Sequence, residues 1–371
     1  MSEYFGKETP KLGFGLMRLP TNENGHDVEQ VKKMVDLFIE AGFTYFDTAF
    51  VYGHSEETTS EALVKRYPRN AYTLATKMNA QAFNEEDKTK AEFETSLKRT
   101  GAGYFDYYLL HAIMENNYQM YNDFGIWEFA KEKKEQGLIK YLGFSFHDGP
   151  QLLDRILTEH PEVDFVQLQI NYEDWENPAI TSRANYEVAR KHGKSIVVME
   201  PIKGGSLANP PEKVKELFDK YNPNMSYASW AIRFAASLDG VITVLSGMSN
   251  LQQMEDNLSY MKNFMPLNEE EQHIIQEAQR IIGNSSTIPC TACHYCTDGC
   301  PMNIHIPEIF KAANKHLGNG LMADAKKAYD EATKEGSLAS ECIDCKQCEG
   351  VCPQHLEITN LLAKCAKLLE K

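Results

Sequence analysis

The sequence predicts an α/β fold of the (β/α)8 TIM barrel class, followed by a small, mainly helical, cysteine-rich domain. Three observations predict it. Helical and strand patterns alternate from about position 28 to 260. The strand segments are near-continuous apolar runs, as in a parallel sheet covered by helices. All nine cysteines lie at or beyond Cys290.

The elements follow in order. KLGFGLMRL supplies either an eighth strand or an N-terminal hairpin. VEQVKKMVDLFIEAG reads as a helix that Gly42 stops, and YFDTA follows as a strand. Residues near 55–66 read as helical, and YTLATK is the next strand. Asn84 is the expected N-cap of a helix running to about Arg99, before the strand YFDYYLLH. One helix ending at Gly137 leads to IKYLGFSF, and a helix from about Pro150 leads to FVQLQIN. Helices near 178–192 and 226–238 flank SIVVMEP and VITVLSG, and a further helix starts near Asn250. Eight such units in some 260 residues fit a closed barrel. A doubly wound open sheet is the alternative, weakened by the lack of a GxGxxG turn after the first strand. The alternation ends between 262 and 289, where NEEEQHIIQEAQRII leads into the polar stretch GNSSTIP. The expected domains are therefore 1–283 and 284–371.

With 38 Lys+Arg against 53 Asp+Glu, the formal charge is −15. Such a chain repels phosphates, which argues against nucleic acid and anionic membranes as partners. No run of 18 apolar residues is present, so no transmembrane helix is expected. The first twenty residues lack the apolar core of a signal peptide, so a cytoplasmic location is expected.

Cys290, Cys293, Cys296 and Cys300 precede Pro301 in CTACHYCTDGCP, and Cys342, Cys345, Cys348 and Cys352 precede Pro353 in CIDCKQCEGVCP. Both read C-x2-C-x2-C-x3-C-P, and one recurs 52 residues after the other. Clustered cysteine in a reducing compartment points to metal. Three thiolates two residues apart can wrap one cubane cluster, and in two-cluster ferredoxins the fourth Cys ligates the partner cluster. Zinc is the alternative, but two Cys pairs suffice for tetrahedral zinc and the third Cys would be redundant. Two [4Fe–4S] clusters are thus expected. Cys290, Cys293, Cys296 and Cys352 would hold one, and Cys342, Cys345, Cys348 and Cys300 the other. Cys365, in ITNLLAKCAKLLE, reads as a small buried hydrophobe. Residues from about 288 to 358 resemble the two-cluster ferredoxins, and the helical stretch between the motifs resembles their α-helical variety.

Asp47, Tyr52, Lys77 and His111 fall at or just after strand C-terminal ends, where barrel enzymes place their chemistry. LGFGLMRLP, FDTAFVYG, TLATK and DYYLLH are similar to motifs of the aldo/keto reductase family, a resemblance spanning roughly residues 10–262. That resemblance implies a barrel oxidoreductase that uses NAD(P)H, either NADP or NAD, to reduce a small-molecule carbonyl by hydride transfer. It implies that Tyr52 is the general acid. A free tyrosine has a pKa of about 10, so Lys77, held by Asp47, would lower it by adjacent positive charge. His111 would orient the carbonyl. By the same resemblance Ser145 and Gln167 hold the carboxamide. PIKGGSL and LSGMSNLQQMEDN, with Gly247 and Asn257, line the pyrophosphate and adenosine. Ser249–Asn250 opens a helix whose amides suit phosphate.

The sequence also departs from the family pattern. Phe146 stands where Asn is usual, and Met199 where an aromatic ring often stacks on nicotinamide. Gly247 and Gln253 stand where Lys or Arg usually meets a 2′-phosphate. The rival reading is an electron-transfer or redox-sensing protein whose barrel binds nucleotide without turning over carbonyls. The clusters also leave room for a one-electron redox partner.

Overall fold

The computed structural model describes residues 9–283 and 287–370. The expected boundary at residue 284 and the first eight residues lie outside the described residues. Contacts within the chain divide it into two compact units. One comprises residues up to Asn177, Thr181–Pro201 and Ala228–Gln272, and the other Pro178–Ile180, Ile202–Tyr227 and His273–Lys371.

In the first unit the barrel strands are β1 (Leu12–Gly15), β2 (Tyr45–Asp47), β3 (Thr73–Met78), β4 (Phe105–Ile113), β5 (Ile139–Phe146), β6 (Phe165–Gln169), β7 (Ser195–Met199) and β8 (Val241–Ser246). Each pairs in parallel with the next, and β1 pairs with both β2 and β8, so the sheet is closed rather than open. LGFG of KLGFGLMRL is therefore the eighth strand. A separate short hairpin, Thr21–Asn22 with Gly25–His26, follows it. Every residue of β4 is buried, because one face meets the barrel interior and the other meets helices.

The helices follow the expected apolar spacing. Val28–Glu40 buries Val31, Met34, Val35 and Phe38 and is capped by Asp27, which accepts the Gln30 N–H at 3.1 Å. Three details differ from the sequence expectation. Ser55–Thr59 passes into a wider π-type turn at Ser60–Val64. Glu85, not Asn84, is the N-cap of Glu86–Thr100. The expected single helix before Gly137 is two, Glu115–Asp123 and Ile126–Glu135, separated at Gly125 with φ +58°.

Inside the barrel, Tyr45, Ala75, Tyr107, Leu109, Phe165, Val197, Ile242 and Leu245 form an apolar cluster. Strand side chains alternate between faces, so the residue two further along points the same way. Two beyond Tyr45, Ala75, Leu109 and Phe165 stand Asp47, Lys77, His111 and Gln167. The interior thus passes from an apolar floor to a polar tier at the C-terminal ends.

In the second unit the main helices are Ile306–Asn319, Met322–Ala332 and Ile358–Leu369. They bury Ile306, Ile309, Phe310, Tyr329, Ile358, Leu362 and Cys365 in one core. The same unit holds the turn Lys203–Ala208 and the helix Glu212–Tyr221, neither of which the sequence patterns indicated.

Gly143 packs closely against Phe165 of the floor. A Cβ there would sit 2.6 Å from Phe165 Cζ and 2.7 Å from its carbonyl oxygen. Gly143→Ala is expected to cost about 1–3 kcal/mol through overpacking. Thermal unfolding of the holoprotein measures it, and an unchanged midpoint would show that Phe165 has room to yield.

Candidate active site and cysteine recesses

The structure brings together all four of the expected barrel residues. Lys77 Nζ donates to Asp47 Oδ1 at 2.5 Å and to the Thr48 carbonyl at 2.7 Å. Its side chain has no solvent exposure. The same ammonium lies 4.8 Å from the centre of the Tyr52 ring. The Tyr52 and His111 rings meet edge to face, 5.6 Å apart. Tyr52 is half-buried, the only one of the four that is not closed off from solvent.

Burial dominates the electrostatics. It pushes the Lys77 pKa below its usual value, against the pull of Asp47, and lifts Asp47 against the pull of Lys77. His111 is held well below the usual histidine range by burial, then by the Lys77 charge and by His147. It is therefore a neutral imidazole at neutral pH. The backbone beside it is bent: Ala112 has φ +52°, and its N–H donates to Ser145 Oγ at 2.7 Å. Tyr121 OH donates to the His111 carbonyl at 2.6 Å, and Asn117 Nδ2 donates to the Ala112 carbonyl at 2.8 Å.

Ser145 and Gln167 are register partners on β5 and β6. Gln167 Oε1 is buried without a hydrogen-bond partner, and so is Asn257 Oδ1. Each is an acceptor that an amide or hydroxyl donor of a bound molecule would satisfy. These are features that suit a nicotinamide nucleotide. Phe146 is buried, packed edge to face on Phe144 at 6.2 Å, and offers no polar group. Asn250 caps Leu251–Met261 by accepting the Gln253 N–H at 2.9 Å, while Gln253 Oε1 accepts the Ser249 N–H at 2.7 Å. Sequence reasoning missed one cation. Arg18 lies beside Gly247, where a Cβ would be 3.8 Å from Arg18 Cβ, and its guanidinium pairs with Glu200 at 3.1 Å. Its signal was weak because it lies some 230 positions away in sequence.

Eight of the nine cysteines fall into two recesses. Cys290, Cys293, Cys296 and Cys352 line the first, and Cys300, Cys342, Cys345 and Cys348 line the second. Each motif thus contributes three cysteines to its own recess and one to the other. The backbone repeats with the sequence. Left-handed residues occur in pairs 52 positions apart: Ala292 and Asp344, His294 and Lys346, Asn303 and His355. Burial and the neighbouring thiols push Cys296 far up, and burial, then the Glu349 carboxylate and the neighbouring thiols, push Cys348 up to about 11. Four thiolates in one recess therefore need a cationic core to compensate them, which a cluster provides. Cys365 is buried in the helical core, apart from both recesses.

A closed parallel barrel with a Lys–Asp pair, a tyrosine and a neutral histidine at its strand ends defines a barrel oxidoreductase. The chain belongs to the aldo/keto reductase family, whose model matches residues 11–280. A second family model, a 4Fe-4S dicluster domain, matches residues 289–357. The chain is 31% identical over 227 residues to the aldo-keto reductase str7 of Strobilurus tenacellus, covering 58% of this chain and 63% of that protein. It is 25% identical over 307 residues to the uncharacterized oxidoreductase YqkF of Bacillus subtilis, covering 72% and 91%. Among solved structures it is similar to the holo form of an aldo-keto reductase from Bacillus halodurans, with TM-score 0.58, 26% identity, and 72% and 91% coverage. An aldo/keto reductase from Klebsiella pneumoniae, solved with NADP and acetate, shares the fold with TM-score 0.60 at 17% identity, over 72% and 91% of the two chains. The protein is thus an oxidoreductase carrying an iron–sulfur domain. Among the described residues no helix is long and apolar enough to cross a membrane.

The state of His111 has a consequence for pH. An unfolded histidine protonates near pH 6.5, whereas the folded His111 pKa lies well below that. Unfolding therefore takes up a proton below about pH 6.5, and the contribution of this site to stability is present above that pH and lost as pH falls. Nitrogen-15 spectra followed below pH 6 should show the His111 imidazole still neutral, and His111→Gln should remove that signal. A His111 ring that titrates at or above 6.5 would contradict the buried, neutral assignment.

Proposed function

We propose that the protein reduces a small-molecule carbonyl with NAD(P)H, and that its C-terminal unit carries two [4Fe–4S] clusters. The observation that carries the first half is the contact chain Asp47–Lys77–Tyr52–His111. When bound, the nicotinamide supplies the hydride. The chain's own residues handle the proton and the orientation. Tyr52 gives its phenolic proton to the carbonyl oxygen. Lys77, fixed by Asp47, favours the phenolate that remains, which makes the proton easier to release. Neutral His111 has an N–H to offer the same oxygen without competing as an acid. Ser145 and Gln167 would hold the carboxamide, and Gly247 and Asn257 the adenosine end. Arg18 is the cation beside Gly247, already paired with Glu200.

The shared cysteine recesses support crosswise ligation, with Cys352 completing the first cluster and Cys300 the second. Burial of Phe146 where a polar contact to nicotinamide is usual favours a second reading, in which nucleotide binds but carbonyls do not turn over.

Carbonyl-dependent NAD(P)H oxidation, measured anaerobically on protein of known iron content, tests the proposal. Tyr52→Phe is expected to lose about 10²- to 10⁴-fold in kcat/KM while keeping nucleotide affinity, since only the transferable proton is gone. Turnover equal to the parent would take the proton away from Tyr52. Nucleotide binding without turnover on a broad set of aldehydes and ketones would select the second reading. For the clusters, Cys352→Ser and Cys293→Ser should leave the same residual paramagnetic spectrum, and Cys300→Ser and Cys345→Ser the other. Matching of Cys352→Ser with Cys345→Ser instead would overturn crosswise ligation.

A further inference from the structure

Tyr52 sits in a tight loop between β2 and the helix Ser55–Thr59. Its N–H donates to the Ala49 carbonyl at 3.1 Å, and its own carbonyl accepts the Ser55 N–H at 3.0 Å. On the barrel side the loop is tied to β3, where the Phe50 N–H donates to the Lys77 carbonyl at 3.0 Å.

Its outer side is held by one guanidinium. Arg99, in the last turn of Glu86–Thr100, donates through Nη1 to the Phe50 carbonyl at 3.1 Å and to Glu56 Oε2 at 3.3 Å. Its Cζ lies 4.5 Å from the centre of the Phe50 ring, and its Nε lies 3.4 Å from Glu57 Oε1. Arg99 thus ties together Phe50, two residues before Tyr52, and Glu56, four residues after it. The planar guanidinium lies over the ring and fans its N–H groups to three acceptors, a geometry that the point charge of lysine does not reproduce.

Glu56 is in turn fixed from the sheet. It is fully buried, and Thr76 Oγ1 donates to its Oε1 at 2.7 Å. Thr76 and Lys77 are neighbours on β3, so their side chains point to opposite faces. Thr76 grips Glu56 on one face while the Lys77 ammonium meets the Tyr52 ring on the other. Burial lifts the Glu56 pKa, and its donors, Thr76 and Arg99 among them, pull it back. A second buried carboxylate, Glu92, stands seven residues before Arg99 on the same helix, and its Oε2 accepts the Asn79 N–H at 2.8 Å. Burial pushes its pKa up to about 8, so at neutral pH it is mostly protonated and leaves Arg99 to Glu56.

We infer that Arg99 and Glu56 are positioning residues that hold the Tyr52 ring against the Lys77 ammonium. Neither touches the reacting atoms. Each acts through the loop ends that it fixes. The consequence for catalysis rests on the proposed role of Tyr52 as the proton donor.

The test uses the full-length holoprotein with carbon-13 at tyrosine Cζ. The Tyr52 signal is the one that Tyr52→Phe removes. Arg99→Lys keeps the charge but not the fork. In it the Tyr52 phenol is expected to titrate at higher pH than in the parent, because the ring drifts from its positive neighbour. Arg99→Lys leaves Glu92 in place, so the ionisation of that group is common to both titrations. The kcat of carbonyl reduction should fall about tenfold, within the hundredfold or so that a displacement of about 1 Å can cause. In a Tyr52→Phe background the same substitution should change the residual rate by less than about twofold, since a residue acting through Tyr52 has nothing left to act through. Should Arg99→Lys not fold, Thr76→Val asks the same question from the other end. It takes the hydroxyl from Glu56 with little change of shape, and the Tyr52 phenol should again titrate at higher pH. A Tyr52 titration at the parent pH in the folded variant overturns the inference, as does a rate loss that persists in full without the Tyr52 hydroxyl. A parent that turns over no carbonyl, or a Tyr52→Phe protein with parent turnover, sinks the proposed function instead, and the phenol titration still decides whether Arg99 places the ring.

Discussion

The buried Asp47–Lys77 pair is the constraint around which the barrel is arranged. Taking two charges out of water costs several kcal/mol per ion, recovered only if the geometry is close and the remaining hydrogen bonds are made. Lys77 meets that condition through Asp47 and the Thr48 carbonyl. The partners come from adjacent strands, so the pair exists only where β2 and β3 hold their register of Asp47 against Ala75. The sheet that carries this register is closed by β1 bridging β2 and β8. The apolar floor below excludes water from the pair, and Tyr52 and His111 sit on it from the open side. A strong charge in a dry place thus has one half-exposed neighbour to act on, and that neighbour carries the only hydroxyl of the four.

The cysteine unit solves a different problem. Its recesses are shaped by non-glycine residues in the left-handed region, each at a cost of roughly 1–2 kcal/mol. Three such residues recur at matching positions in both motifs. Loops strained in this way need an external tie, and metal ligation supplies folding free energy of a larger size. The helices Ile306–Asn319 and Ile358–Leu369 start 52 residues apart and cross the same core, which places the fourth Cys of each motif at the other's recess.

Features that depend on local chemistry could be read from the sequence. Apolar runs marked the strands, and tight Cys spacing marked the recesses. Asp47, Lys77 and His111 were visible because each lies at or within two residues of a strand's C-terminal end, and that fixes a position in a barrel. Features that depend on distant contact could not be read. Ile202–Tyr227 follows β7 in sequence, yet groups with the cysteine unit through backbone packing such as Gly204 on Thr291. Two adjacent glycines say only that a turn is near. Arg18 beside Gly247 is hidden for the same reason, as is the buried Glu92, whose pKa is pushed up to about 8 chiefly by burial among helix and strand side chains. Asn84 failed as a cap because its own backbone is left-handed, with φ +56°, leaving Glu85 to begin the helix.

Electron counting limits what the two halves can share in the proposed reaction. A nicotinamide gives up two electrons together as hydride, a cubane cluster exchanges one at a time, and enzymes that join the two place a flavin between them. Hydride transfer with protonation by Tyr52 leaves no electron over, so the carbonyl step is complete within the barrel residues. No electron of that step is left for the proposed clusters to carry. The motifs repeat faithfully in sequence and in backbone, but Thr291 of the first is buried under Gly204 while Ile343, its counterpart in the second, is exposed. Their environments, not their ligands, make the two sites unequal.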